Sequence, residues 1–125
     1  MRLLLDTHVY LWWLQDHPKL SSIAKKRITD AAAVYVSSAS IWEAAIKTAL
    51  GKLDVDVPQL VAEIERSGFK ELAISVRHAA RVHELPDLHR DPFDRLLLAQ
   101  AISEPLKLLT HDRQLKDYSE LVEMI

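Results

Sequence analysis

The chain has 125 residues, a length that fits one domain over 1–125 and no more. Its 49% hydrophobic content can build a core without cross-links, and the lack of cysteine excludes a disulfide framework and a thiolate metal site and fits a reducing cytoplasm. A general nucleic-acid binder is usually clearly basic, so the formal net charge of −2 argues mildly against RNA as a partner, and any RNA site has to be a local basic patch beside a local acidic cluster.

In chain order, Arg2 to Leu5 is an apolar run that stops at Asp6 and reads as a buried strand. The run does not read as a signal peptide, because Asp6 cuts it after three leucines where a signal needs roughly 7–15 apolar residues. Nothing approaches the roughly 20 apolar residues of a membrane span, so a cytoplasmic protein with no membrane partner is expected. Thr7 to about Gln15 is apolar and aromatic, a helix that Pro18 ends. Ser21 or Ser22 can cap a helix carrying Ile23, Ala24, Arg27 and Ile28. Ala33 to Val36 is a second strand. Ser38 or Ser40 opens a helix to about Leu50, with Gly51 as its closing residue. Asp56 or Val57 to Ser67 is a helix with Pro58 in its first turn, closed by Gly68. Glu71 to Ile74 is a third strand and Ser75 to Glu84 a helix. Asp91-Pro92 starts a helix through Ala101, with an acid as cap and proline at the first helical position. Leu106 to Thr110 is a strand, and Leu121 to Ile125 a last short one. Strands alternating with helices predict an α/β fold, a three-layer α/β/α sandwich around a parallel sheet of four or five strands.

Ligands of open parallel sheets bind at the carboxyl ends of the strands, and acids collect there. Asp6 follows the first strand, Glu43 lies within two turns after the second, and Asp112 follows the Leu106–Thr110 strand. Asp94 sits in the first turn of the helix before that strand, one turn after Asp91. If that helix start reaches the same edge, four carboxylates converge. Close carboxylates repel, and a hard divalent cation removes the conflict. An all-oxygen set favours Mg²⁺ or Mn²⁺ over zinc, and such a cation can activate water against a phosphodiester. Each acid also has an ordinary structural use: Asp6 as a strand-end acceptor, Glu43 as a solvated helix residue, Asp91 as an N-cap, Asp94 as a first-turn acid, Asp112 as a loop cap.

Four segments in order, LLLDTHVYLWWL (3–14), SSASIWEAAIKTALGKL (37–53), LPDLHRDPFDRLLLAQA (85–101) and LLTHDRQLKDY (108–118), give the chain its resemblance to PIN-domain proteins of the VapC toxin type. The resemblance covers essentially the whole length. It implies a PIN-like α/β/α sandwich and Mg²⁺- or Mn²⁺-dependent endonucleolytic cleavage of RNA by the toxin of a toxin–antitoxin pair. It implies a VapB-like antitoxin partner and a homodimer. The family's acids fall on Asp6, Glu43, Asp94 and Asp112, with Asp6, Asp94 and Asp112 as metal ligands. In DPFDR, Asp94 matches the family acid, because Leu96, Leu97, Ala99 and Ala101 continue the apolar pattern that follows it. Asp91 is an auxiliary.

Around these acids, the hydroxyls of Thr7 and Thr110 can hold a carboxylate or a water. Arg90, Arg95, Arg113 and Lys47 can pair with phosphates or brace an acid, with Arg95 the best brace. The six histidines form no HExxH or comparable motif. The helix bearing Trp12 and Trp13 is apolar almost all round, so one tryptophan packs on the sheet while the other can face a partner. A receiver-like signalling module is the first rival reading, but Thr7 stands where a receiver has a second acid. A DxD phosphatase would need an acid at His8. A non-catalytic interaction protein on the same fold is disfavoured by the complete acid set.

Overall fold

The computed structural model describes residues 1–87 and 90–125; Leu88 and His89 of the LPDLHRDPFDR segment lie outside the described residues. The elements are β1 (Arg2–Leu5), α1 (Thr7–Gln15), α2 (Ser22–Asp30), β2 (Ala33–Ser37), α3 (Ser38–Ala49), α4 (Val57–Arg66), β3 (Lys70–Leu72), α5 (Val76–Arg81), α6 (Pro92–Ser103), β4 (Lys107–Thr110) and β5 (Val122–Met124). Short 3₁₀ turns over Val82–Glu84 and Arg113–Leu115 follow α5 and β4. The five strands are parallel in the order β3-β2-β1-β4-β5.

Two-residue alternation divides the core. Leu3, Leu5, Val34, Val36 and Leu109 point to one face, where α1, α2, α3 and α4 add Val9, Leu11, Ile28, Ala44 and Ile64. Leu4 and Leu108 point to the other, where α6 brings Leu97, Leu98 and Ala101. Both faces of β1 are thus covered, which explains why Leu3, Leu4 and Leu5 are all fully buried. Each such leucine contributes about 2 kcal/mol of apolar burial. The result is the expected α/β/α sandwich.

Local chemistry sets the element ends. Ser21, Ser37, Asp56 and Asp91 each cap a helix by accepting a backbone N–H. The α3 cap is therefore Ser37, one residue before the expected helix start. Gly51, with φ at 74°, takes the left-handed position after α3. The left-handed residue that stops α1 is Asp16, two residues before Pro18. β3 begins one residue earlier and ends two earlier than Glu71–Ile74. Its sole neighbour, β2, runs out at Ser37, which pairs with Leu72, and Ser75 then caps α5. The expected Ser75–Glu84 helix divides into α5 and a 3₁₀ turn, and α6 continues two residues past Ala101.

The apolar α1 spends most of its surface on its own chain. Val9, Tyr10 and Leu11 are buried, and Trp12, Trp13 and Leu14 pack half-buried on the same core. The Tyr10 hydroxyl donates to the Leu60 carbonyl at 2.7 Å. Among the described residues no helix is long and apolar enough to cross a membrane.

Candidate active site

The chain leaves β1 towards β2 and β3 on one side, then returns to place β4 and β5 on the other. The switch between β1 and β4 opens a crevice at their carboxyl ends. Asp6 sits there, its N–H donating to the Leu109 carbonyl at 3.0 Å. Its carboxylate is buried and accepts the Thr110 hydroxyl at 2.7 Å. Thr110 in turn accepts the Asp112 N–H at 3.0 Å, so one hydroxyl joins the two acids. Burial raises the Asp6 carboxyl above its ordinary 3.8, against the lowering effects of the Thr110 bond, the His8 charge and the Thr7 amide; the Glu43 charge raises it further. Asp112 caps the 3₁₀ turn after β4 by accepting the Gln114 N–H at 2.9 Å.

Helices supply the opposite wall. Thr7 at the start of α1 donates its hydroxyl to Ser40 of α3 at 2.9 Å. One turn on, Glu43 is buried, and its Oε2 holds the Lys47 ammonium at 2.5 Å. Its Oε1 is buried with no hydrogen-bond partner among the described residues. That bond, followed after the opposing effect of burial by the Glu43, Asp91 and Asp94 charges, raises Lys47 above its ordinary 10.5. The start of α6 therefore faces the same edge, and Trp42 of α3 meets Phe93 edge-on at 5.1 Å. Asp91 Oδ1 accepts the Phe93 and Asp94 amides at 2.9 and 3.1 Å, a complete N-cap, which leaves Asp94 in the first turn.

Asp6, Glu43, Asp94 and Asp112 thus border one edge, in two groups. One is bridged by Thr110, and the other surrounds Lys47. Among the described residues, no three acids or histidines stand close enough to enclose a cation. Lys47 supplies positive charge on the helix side. The donors fit a hard divalent cation: all are oxygens, and a buried Glu43 oxygen lacks a partner among the described residues. Arg95 donates to the carbonyls of Val82, Leu85 and Pro86 at 3.2, 3.4 and 2.8 Å, tying α6 to the segment before it.

The family description of the PIN domain matches residues 3–121. The chain belongs to the PIN-domain family. This PIN domain is 32% identical over 123 residues to Ribonuclease VapC22 of Mycobacterium tuberculosis (strain ATCC 25618 / H37Rv), covering 92% of this chain and 90% of that protein. Its fold matches a chain in the crystal structure of VapBC2 from Rickettsia felis bound to a promoter DNA fragment, with a TM-score of 0.71 at 18% identity over 100% of this chain and 98% of that one. A chain of the DNA-bound VapBC from Salmonella typhimurium matches with a TM-score of 0.69 at 14% identity over 100% and 97%.

The sequence of this PIN domain offers Lys47 as a brace for an acid, and it pairs with Glu43; the signal is an acid and a lysine four residues apart, which share a helix face. Ser40, which anchors Thr7, had no signal, because the two meet only through the packing of α1 on α3.

Proposed function

We propose that residues 1–125 form one cytoplasmic PIN-domain endoribonuclease, the toxin of a toxin–antitoxin pair. The observation that carries this reading is the buried Asp6, tied through the Thr110 hydroxyl to the Asp112 backbone and close enough to feel the charge of the buried Glu43. The likeness to Ribonuclease VapC22 supports RNA as the substrate.

Asp6, Asp94 and Asp112 would hold Mg²⁺ or Mn²⁺, with Glu43 as the fourth site acid. When bound, such a cation supplies activation of water and charge stabilisation at the leaving oxygen. Thr110 fixes the Asp6 carboxylate, and Thr7 pins the start of α1 to α3. Asp91 positions Asp94 by ordering the first turn of α6. Lys47 pairs with the Glu43 carboxylate.

The antitoxin belongs to the same proposal, supported by the VapBC complexes that share the fold. A groove of about 480 Å³ between α3 and α4 is lined by Ile41, Trp42, Val61 and Phe69, with Glu65 and Glu71 also on its wall. Trp42 is 56% exposed and touches Phe93 beside Asp94. An apolar segment with a basic side chain, laid in this groove, would be led to the acidic edge. The toxin is a homodimer in this reading; a monodisperse monomer in sedimentation at micromolar concentration contradicts that part.

The deciding experiment is cleavage of structured RNA with Mg²⁺ or Mn²⁺ and with excess chelator. Cleavage restricted to the metal-containing reactions, leaving 5′-phosphate and 3′-hydroxyl ends, is expected. Equal cleavage after verified metal removal overturns the reading, and 2′,3′-cyclic phosphate ends would mean attack by the ribose hydroxyl instead.

A further inference from the structure

A chain of net charge −2 that handles RNA needs its cations gathered somewhere. They gather beside Asp112. Around the Trp12 ring, His17 stacks at 5.6 Å with the planes 25° apart, His111 meets it edge-on at 5.4 Å, and the Lys19 ammonium lies 5.8 Å from its centre. His111 is exposed, and its Nδ1–H donates to the Ile125 carbonyl at 3.0 Å, which fixes the ring. The same residue borders a cavity of about 340 Å³ lined by Arg113, Lys116, Met124 and Ile125. Lys19, Arg113 and Lys116 are exposed and enter no ion pair among the described residues. Of the acids nearby, Asp16 is held by Lys25, and Glu123 by Arg27 at 2.8 Å.

We propose that this shelf, running from Lys19 past Trp12 and His111 to Arg113 and Lys116, binds the single strand of RNA flanking the cleaved bond. The inference rests on the endoribonuclease reading and gives its substrate a track. Interleaved aromatic rings and unpaired cations are what a single strand needs, since bases stack on rings while phosphates meet the cations. The shelf adjoins the acids directly: His111 lies between Thr110, which holds Asp6, and Asp112. A strand lying on it delivers the next phosphate to the crevice. An acidic protein segment would also suit the cations but would leave the rings unused.

The test uses the full chain, a short fluorescent single-stranded RNA and excess chelator, with anisotropy read from 50 to 300 mM salt, about the range in which phosphate contacts dominate. Each of Lys19→Ser, Arg113→Ser and Lys116→Ser should flatten the log–log salt slope by about 0.7, the single-strand value per lost phosphate contact. The exposed His111→Ala should weaken binding about tenfold through lost stacking. Lys70→Ser, on the far edge strand β3, should change neither. With Mg²⁺, the shelf variants should raise KM and hold kcat within about twofold, as loss of uniform binding does. Unchanged slopes and affinities in a parent that binds and cleaves RNA overturn the shelf alone. A parent that neither binds nor cleaves RNA overturns the functional reading and the shelf with it.

Discussion

On the strand side of the crevice, Asp6 has a hydroxyl, a neighbouring amide and burial around it; on the helix side, Glu43 has an ammonium. Both carboxylates are buried to a similar degree. Asp6 meets the cost of charge by favouring its proton, while Glu43 meets it with a counter-ion carried on its own helix. The strand side is held by the β1–β4 ladder, so its geometry is fixed before any ligand arrives. The helix side is closed by one long lysine side chain, which can leave. A cation entering the crevice meets a rigid wall and an adjustable one.

Removing one charge from each wall gives the largest effect. Asp6→Asn and Asp94→Asn should each lower the cleavage rate at saturating Mg²⁺ by at least about a hundredfold, because even groups outside a metal's direct ligands cost up to that much. Near-isosteric amides preserve the packing, so both variants should stay folded. Normal cleavage by either, in a folded protein, removes that acid from the site.

The two walls separate next in stability. Lys47→Met leaves the Glu43 charge buried and uncompensated, and the metal-free chain should lose about 2 kcal/mol, below the usual figure for a broken buried pair because Lys47 is partly solvated. Glu43→Gln combined with Lys47→Met should recover most of that loss. Mn²⁺ should raise the melting temperature of Lys47→Met by more than it raises the parent's, since no ammonium has to be displaced. An equal or smaller increment would mean that Lys47 does not stand in for the cation.

On the strand side the difference appears as pH dependence. The folded-state value of Asp6 is raised above 3.8, so the folded chain holds this proton more tightly than the unfolded chain does. The Asp6 contribution to metal-free stability therefore falls as pH rises from 3.8 through the raised value, and is constant beyond it. Asp6→Asn should remove that decline, seen as a difference between the two urea-midpoint profiles against pH. Parallel profiles would show that burial does not perturb Asp6.

The sequence made the rigid wall legible and the adjustable one only half so. Leu3-Leu4-Leu5 and Leu108-Leu109 are apolar on both faces, which marks central parallel strands; Asp6 follows the first run directly, and Asp112 comes three residues after Leu109. Edge strands carry weaker marks. Lys70-Glu71-Leu72 pairs with β2 alone, so its bounds depend on where β2 stops and not on its own residues. The apolar stretch Val9–Leu14 suggested a partner surface, yet most of it packs inward, while Trp42 stands exposed in a helix whose other face is core. A pattern of apolar residues states how much must be covered, and only packing states by what. Arg95 shows a tie that only packing reveals: it donates backward to the carbonyls of Val82, Leu85 and Pro86.

The smallest expected effect makes the finest distinction, within DPFD itself. Asp91 Oδ1 takes both the Phe93 and Asp94 amides. Asn presents the same oxygen in the same place and caps nearly as well, so Asp91→Asn loses only the interaction of its charge with the helix start, under about 1 kcal/mol. Cleavage should be mostly kept. Asp94→Asn should behave in the opposite way: no loss of melting temperature without metal, since it relieves repulsion at a crowded edge, and loss of cleavage. Melting temperature without metal and cleavage at saturating Mg²⁺ are measured together for both variants. If Asp91→Asn abolishes cleavage in a folded protein while Asp94→Asn cleaves normally, the two acids exchange roles. If both lose cleavage without unfolding, Asp91 belongs to the adjustable wall as a site acid. Its charge already reaches Lys47, as that of Asp94 does, so this outcome would extend that wall by one helical turn.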